Sequence, residues 1–136
     1  MKTNFRIFKT VTAIVIILVI SSAFMQQQSV WKAPASADQK KNPVASNEQT
    51  LAAGKKIYNK ECMSCHGKKG KGDGPASVTV GKPVGDMTSV SFHAQSDGAI
   101  FWKTATGKPP MPSFGKKLTE EQVWQIVNYM RTFNTK

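Results

Sequence analysis

The sequence predicts an all-α fold with long loops, built as one small domain. Three observations carry this: apolar residues recur at helical spacing near both ends of the second half, capping residues precede them, and no period-2 alternation with hairpin turns occurs between them. Ser46 followed by Gln49 forms a capping box, and Leu51, Gly54, Ile57, Tyr58 and Glu61 continue at helical spacing up to Cys62. Ser96 or Asp97 caps a shorter helix through Ile100, Phe101 and Thr104, which Gly107 ends. Thr119 with Gln122 makes a second capping box, Glu120 and Glu121 complement the helix dipole, and Val123, Ile126, Val127 and Met130 form one apolar stripe.

The chain has 136 residues, too few for two domains, and carries 19 basic against 8 acidic residues, a net +11. Only two cysteines are present, which excludes a multi-disulfide scaffold, a four-cysteine zinc site and a cysteine-ligated iron–sulfur cluster.

Residues 1–25 read as a signal peptide or a membrane anchor. Lys2, Arg6 and Lys9 form a basic start, and Val11 to Ile20 then run apolar and uncharged. Ser21 and Ala23 suit cleavage after Ala23. Against cleavage, the charge-free stretch from Thr10 to Val30 permits membrane attachment through residues 10–30, although its strongly apolar part would span only roughly 22 Å against about 30 Å of hydrocarbon. Both readings place the remainder outside the cytoplasm, in the periplasm or an equivalent compartment, either soluble or anchored to the inner membrane. Residues 26–46, rich in Pro, Ala, Gln and Lys, read as a linker or an arm, with Trp31 at a membrane interface, exposed, or filling a groove. Residues 47–136 form the domain, with 13 basic and 7 acidic residues. A domain of that size buries little surface and usually needs an additional apolar or covalent element.

Cys62-Met63-Ser64-Cys65-His66 is C-x-x-C-H, the attachment signature of c-type haem. On a helical turn, positions i, i+3 and i+4 share a face, so two thiols can add to two haem vinyl groups while the imidazole reaches the iron. A redox dithiol does not require the adjacent histidine, and zinc would have only the distant His93 as a fourth ligand. For a second axial ligand the candidates are Met87, Met111 and His93. Met111 is preferred, because Pro109, Pro110 and Pro112 stiffen its loop and lower the entropic cost of presenting a weak thioether.

From Leu51 to Phe133 the chain resembles a class I c-type cytochrome of the bacterial mono-haem kind. The likeness is carried by Cys62-x-x-Cys65-His66-Gly67, Gly70-x-Gly72-Asp73-Gly74-Pro75, Asp86-Met87-Thr88, Gly107, Met111-Pro112-Ser113-Phe114 and the final helix with Trp124 and Tyr129. The resemblance implies a cytochrome c fold of three to five helices around one covalent haem c. It makes His66 the proximal and Met111 the distal iron ligand, and sets Gly54 and Tyr58 at a crossing with Ile126 and Tyr129. It also offers the Pro75 carbonyl as acceptor for His66 Nδ1 and Trp102 as a contact to a haem propionate.

With both axial positions filled, no site remains for a reactant, so the expected function is a one-electron carrier between respiratory partners and not an enzyme. The alternatives are a cytochrome subunit of a larger dehydrogenase or terminal reductase, and a haem enzyme or ligand sensor. Lys68, Lys69, Lys71, Lys108, Lys116 and Lys117 flank the two haem-approaching segments and would steer acidic redox-partner proteins to a basic haem edge. Nucleic acid is not expected as a partner, because base-stacking aromatics are not interleaved with this charge.

Overall fold

Side-chain caps decide where the helices begin in the computed structural model, which describes residues 31–133. The elements are α1 (Ala35–Asp38), α2 (Glu48–Glu61), α3 (Met63–His66), α4 (Val90–His93), α5 (Asp97–Thr106) and α6 (Glu120–Met130). A 3-10 turn covers Ser77–Thr79. Among the described residues there is no strand, only an isolated bridge between Lys108 and Met111. The fold is all-α, as expected: three longer helices and three single turns, joined by long loops.

The capping boxes show where local sequence was decisive. Thr119 and Gln122 cap α6 reciprocally, and the Ser96 hydroxyl accepts from Ala99 N–H at the start of α5. The cap of α2 is Asn47 and not Ser46. The Asn47 side chain accepts from Thr50 N–H, the Thr50 hydroxyl accepts from Asn47 N–H, both at 3.0 Å, and that hydroxyl donates to Ala45 O. Asparagine offers a carbonyl oxygen at the same spacing, so the box shifts by one residue.

α2 and α6 make the most extensive helix pairing. Their backbones meet at Gly54, where a Cβ would lie 2.0 Å from Gln125 O and 3.1 Å from Tyr129 Cβ. The whole apolar stripe of α6 (Val123, Ile126, Val127 and Met130) is buried, together with Tyr58 of α2 and Ile100 and Phe101 of α5. Phe101 and Trp124 stack with centroids 4.1 Å apart.

One compact unit begins at Lys32, so the residues before the first long helix form an arm that packs on the domain. The Ser96 hydroxyl donates to Asp38 at 2.7 Å. The Asn42 side-chain N–H donates to Asn128 Oδ1 at 2.8 Å, and the Asn128 side-chain N–H donates to Val44 O. The Lys40 ammonium sits 4.2 Å above the Phe101 ring and pairs with Glu120 at 3.3 Å. The expected signal or anchor segment, residues 1–25, lies outside the described residues. Among those described, no helix is long and apolar enough to cross a membrane.

Gly54→Ala tests the helix crossing. The added methyl meets backbone that cannot yield without separating α2 from α6, so the cost should reach about 3 kcal/mol, the upper part of the overpacking range. A thermal melt of the haem-loaded protein followed by circular dichroism should show Tm lowered by more than about 10 °C.

Candidate haem site

The two thiols and the imidazole of the attachment motif lie on one turn. Cys62 ends α2 with its N–H on Tyr58 O at 2.8 Å, then starts α3: Cys65 and His66 N–H both donate to Cys62 O, at 3.2 and 2.9 Å. The i, i+3, i+4 relation expected of the motif is therefore present in the backbone. Both cysteines are free; Cys62 is buried and Cys65 half-buried. Burial pushes the Cys62 thiol up to about 12, helped by the neighbouring Glu61 and Cys65.

Burial also holds the His66 imidazole below its ordinary pKa, while the Gly85 carbonyl works in the opposite direction. Nδ1 lies 3.4 Å from Gly85 O. With Nδ1–H donating there, Nε2 keeps its lone pair, the form a metal ligand requires. The resemblance assigned the acceptor role to Pro75. Here Nδ1 faces the Gly85 carbonyl, and Met87 N–H, bonding Gly70 O at 2.7 Å, pins residues 85–87 across the turn that follows His66. Pro75 itself is exposed.

Tyr58 contributes more than helix packing. Its ring is fully buried, and its hydroxyl donates to Gly67 O at 2.7 Å, fixing the residue after His66 to α2. Burial raises the Tyr58 pKa well above the usual phenol range, so the hydroxyl keeps its proton.

Met111 stands on the loop between α5 and α6, half-buried, with its N–H on Lys108 O at 2.9 Å. The loop is braced at both ends. Gly107 closes α5 at φ +68°, and a Cβ there would lie 2.5 Å from the Pro112 carbonyl, so only glycine lets the loop fold back on itself. Beyond Met111, the Ser113 hydroxyl and Gly115 N–H both donate to Ala105 O, at 2.7 and 2.9 Å. Lys117 then bridges to Glu61 at 2.5 Å, joining the residue before Cys62 to the far end of the Met111 loop. The Glu61 side chain is only 8% exposed and that of Lys117 57%, so this half-exposed pair ties the attachment turn to the Met111 loop. It also means that Lys117, expected in a basic collar, is already neutralised.

The other candidates take separate places. Met87 is buried in the core, as a packing methionine would be. His93 ends α4; its Nε2 is buried without a hydrogen-bond partner, its ring stands edge-on to Phe92, and its carbonyl accepts from Arg131 at 3.1 Å. Trp102 is half-buried on α5. Three participants escaped the sequence reading: Gly85, the Tyr58 hydroxyl and the Glu61–Lys117 pair. Only Glu61 left a local signal, an acid directly preceding the attachment motif.

The donor set fits haem. Two free thiols and an imidazole share one turn, the arrangement that covalent haem attachment requires. Among the described residues no group of three or more His, Cys, Asp or Glu is placed to hold a metal ion.

Such an arrangement defines a c-type cytochrome of class I. Residues 49–130 match the family described as "Cytochrome C oxidase, cbb3-type, subunit III", and the chain belongs to that family. It is 31% identical over 80 residues to cytochrome c6 of Parathermosynechococcus lividus, covering 59% of this chain and 86% of the relative. Cytochrome c6 of Rippkaea orientalis is 33% identical over 79 residues, 58% of this chain and 67% of the relative. Among solved structures, the "KustC0563 c-type cytochrome" matches with TM-score 0.53 and 30% identity over 60% of this chain and 98% of that one. The "Kuenenia stuttgartiensis reducing HAO-like protein complex Kustc0457/Kustc0458" matches with TM-score 0.63 and 33% identity over 68% of this chain. There the chain spans about half, 47%, of the matched chain's length. Membership implies one covalently bound haem c in an electron-transfer domain.

Tyr58→Phe removes one buried hydroxyl and leaves the Gly67 carbonyl without its donor. Urea denaturation of the haem-loaded protein should show stability lowered by about 1 to 2 kcal/mol, with the slope of the transition unchanged.

Proposed function

We propose that this chain is a one-electron carrier whose six-coordinate haem is held by Cys62 and Cys65 and ligated by His66 and Met111. The observation that carries this reading is the clamp of the Met111 loop to the attachment turn through Glu61 and Lys117. When bound, haem c supplies an iron centre that accepts or releases one electron. The protein's share is to keep both axial directions occupied. His66 is oriented through Nδ1 by Gly85, and Met111 is presented by a loop that three prolines and Gly107 restrain. With His66 and Met111 as its ligands, the iron would favour the ferrous state more than with a second histidine, giving a comparatively high reduction potential. Trp102 is assigned a supporting contact to a propionate. No open coordination position is left for a reactant, so the chain is not an enzyme.

The basic start and apolar run of residues 1–25 support export, with the haem domain acting outside the cytoplasm, soluble or held to the inner membrane through residues 10–30. Acidic redox proteins are the proposed partners. A second reading, a fixed subunit of a larger redox assembly, is favoured by two observations: the matching family is described as an oxidase subunit, and one structural match belongs to a complex. Purification through an affinity tag separates the two, because a fixed subunit brings a stoichiometric partner with it and a free carrier does not.

Absorption spectra test the site. Alkaline pyridine should give the spectrum of a haem attached through two thioethers. The weak long-wavelength sulfur-to-iron band of the oxidised protein should vanish in Met111→Ala and persist in His93→Ala. Native ferrous protein at neutral pH should not bind carbon monoxide, whereas Met111→Ala should. Persistence of the band in Met111→Ala, or its loss in His93→Ala, would overturn the ligand assignment.

A further inference from the structure

A hollow of about 530 Å³ opens between α2 and α6 beside the attachment turn. Its apolar lining comes from Met63, Tyr129 and Phe133, and its basic lining from Lys55, Lys68 and Lys69. We propose that this hollow is the docking seat for the redox partner, taking an acidic surface segment that carries one large apolar side chain. The inference rests on the electron-carrier reading and specifies where and by what chemistry the partner is recognised.

Charge is the first argument. Lys40, Lys60, Lys117 and Arg131 each have a carboxylate within ion-pair distance. Lys55, Lys68 and Lys69 are exposed and form no ion pair among the described residues, yet they surround one concavity. Three like charges around a shared hollow repel one another, and carboxylates brought by a partner relieve that repulsion.

The shape and chemistry of the lining narrow the occupant. Tyr129 and Phe133 meet edge-on with centroids 5.2 Å apart, and Phe133 is held from behind by Tyr58, also at 5.2 Å. This aromatic surface is built into the helix crossing, so an apolar side chain can enter without ordering new structure, which favours fast and reversible association. A small hydrated anion would leave the aromatic surface unused. A flat anionic membrane would reach the lysines without filling the concavity. An acidic protein segment with an apolar anchor satisfies both halves of the site.

Placement gives the docking a purpose. Met63 lies between the two attachment cysteines, so a partner seated here abuts the segment that would carry the haem. Neither Lys116 nor Lys117 of the distal loop lines the seat, and Lys117 is occupied by Glu61.

The test uses the ¹⁵N-labelled, haem-loaded protein titrated with a blocked peptide of alternating Glu and Asp around a central Phe, and with the same peptide carrying Ser in place of Phe. At low salt the Phe peptide should shift the amides of Met63, Tyr129 and Phe133, and bind about fivefold or more tightly than the Ser peptide. The double variant Lys55→Glu with Lys69→Glu, both changes on exposed side chains, should weaken binding about tenfold or more, while Lys82→Glu should change it less than about twofold. Shifts centred elsewhere, equal binding of the two peptides, or equal loss in both variants would overturn the proposal. So would a double variant that loses binding to phosphatidylglycerol vesicles while keeping its affinity for the Phe peptide. Failure of the carrier reading is visible separately: carbon monoxide binding to the native ferrous protein reports on that reading alone and leaves the peptide result intact.

Discussion

The close approach of α2 and α6 at Gly54 is the constraint on which the rest of the molecule depends. Because no side chain separates the two backbones there, the Tyr58 ring lies fully buried against the second helix and its hydroxyl reaches Gly67. That hydrogen bond joins the largest helix contact to the residue that follows His66. The same crossing sets Tyr129 tilted and Phe133 edge-on against Tyr58, and Tyr129 and Phe133 line the hollow beside the attachment turn. One missing methyl group thus governs helix packing, the Tyr58–Gly67 hydrogen bond and the shape of an exposed surface.

A domain of this size cannot rely on its core alone, and the structure shows how the deficit is met. The arm from Lys32 lies over α5 and α6, and Lys40 covers the stacked Phe101 and Trp124. Asn42 and Asn128 satisfy each other where an amide would otherwise be stranded. On the other side, Arg131 reaches Asp97 and the carbonyls of His93 and Gln95, tying the end of α6 to the loop that enters α5. The long loops are therefore held by specific polar latches at their ends. The covalent cofactor of the family supplies the remaining apolar mass in the interior.

Electrostatics divides the surplus of lysines into two groups. Some are structural: Lys117 on Glu61 clamps the distal loop, and Lys40 on Glu120 fastens the arm. Others, Lys55, Lys68 and Lys69 among them, pair with no carboxylate among the described residues and give the surface its sign. A charge count cannot distinguish these groups, because it registers valence and not the neighbour across the fold.

The chemistry of the site was legible in the chain because it is written in local order. Cys62, Cys65 and His66 need only one turn of helix to converge, the prolines around Met111 stiffen a loop by their own covalent geometry, and the Thr119 cap acts within three residues. The stripe of α6 was readable for the same reason. What needed tertiary structure were pairings between distant segments. Gly85 facing His66, Glu61 with Lys117, the Tyr58 hydroxyl on Gly67 and the docked arm all depend on loop paths that no periodicity encodes. Local covalent and helical geometry acts over a few residues and shows in the sequence, whereas partners dozens of residues apart are chosen by the packing of the whole chain.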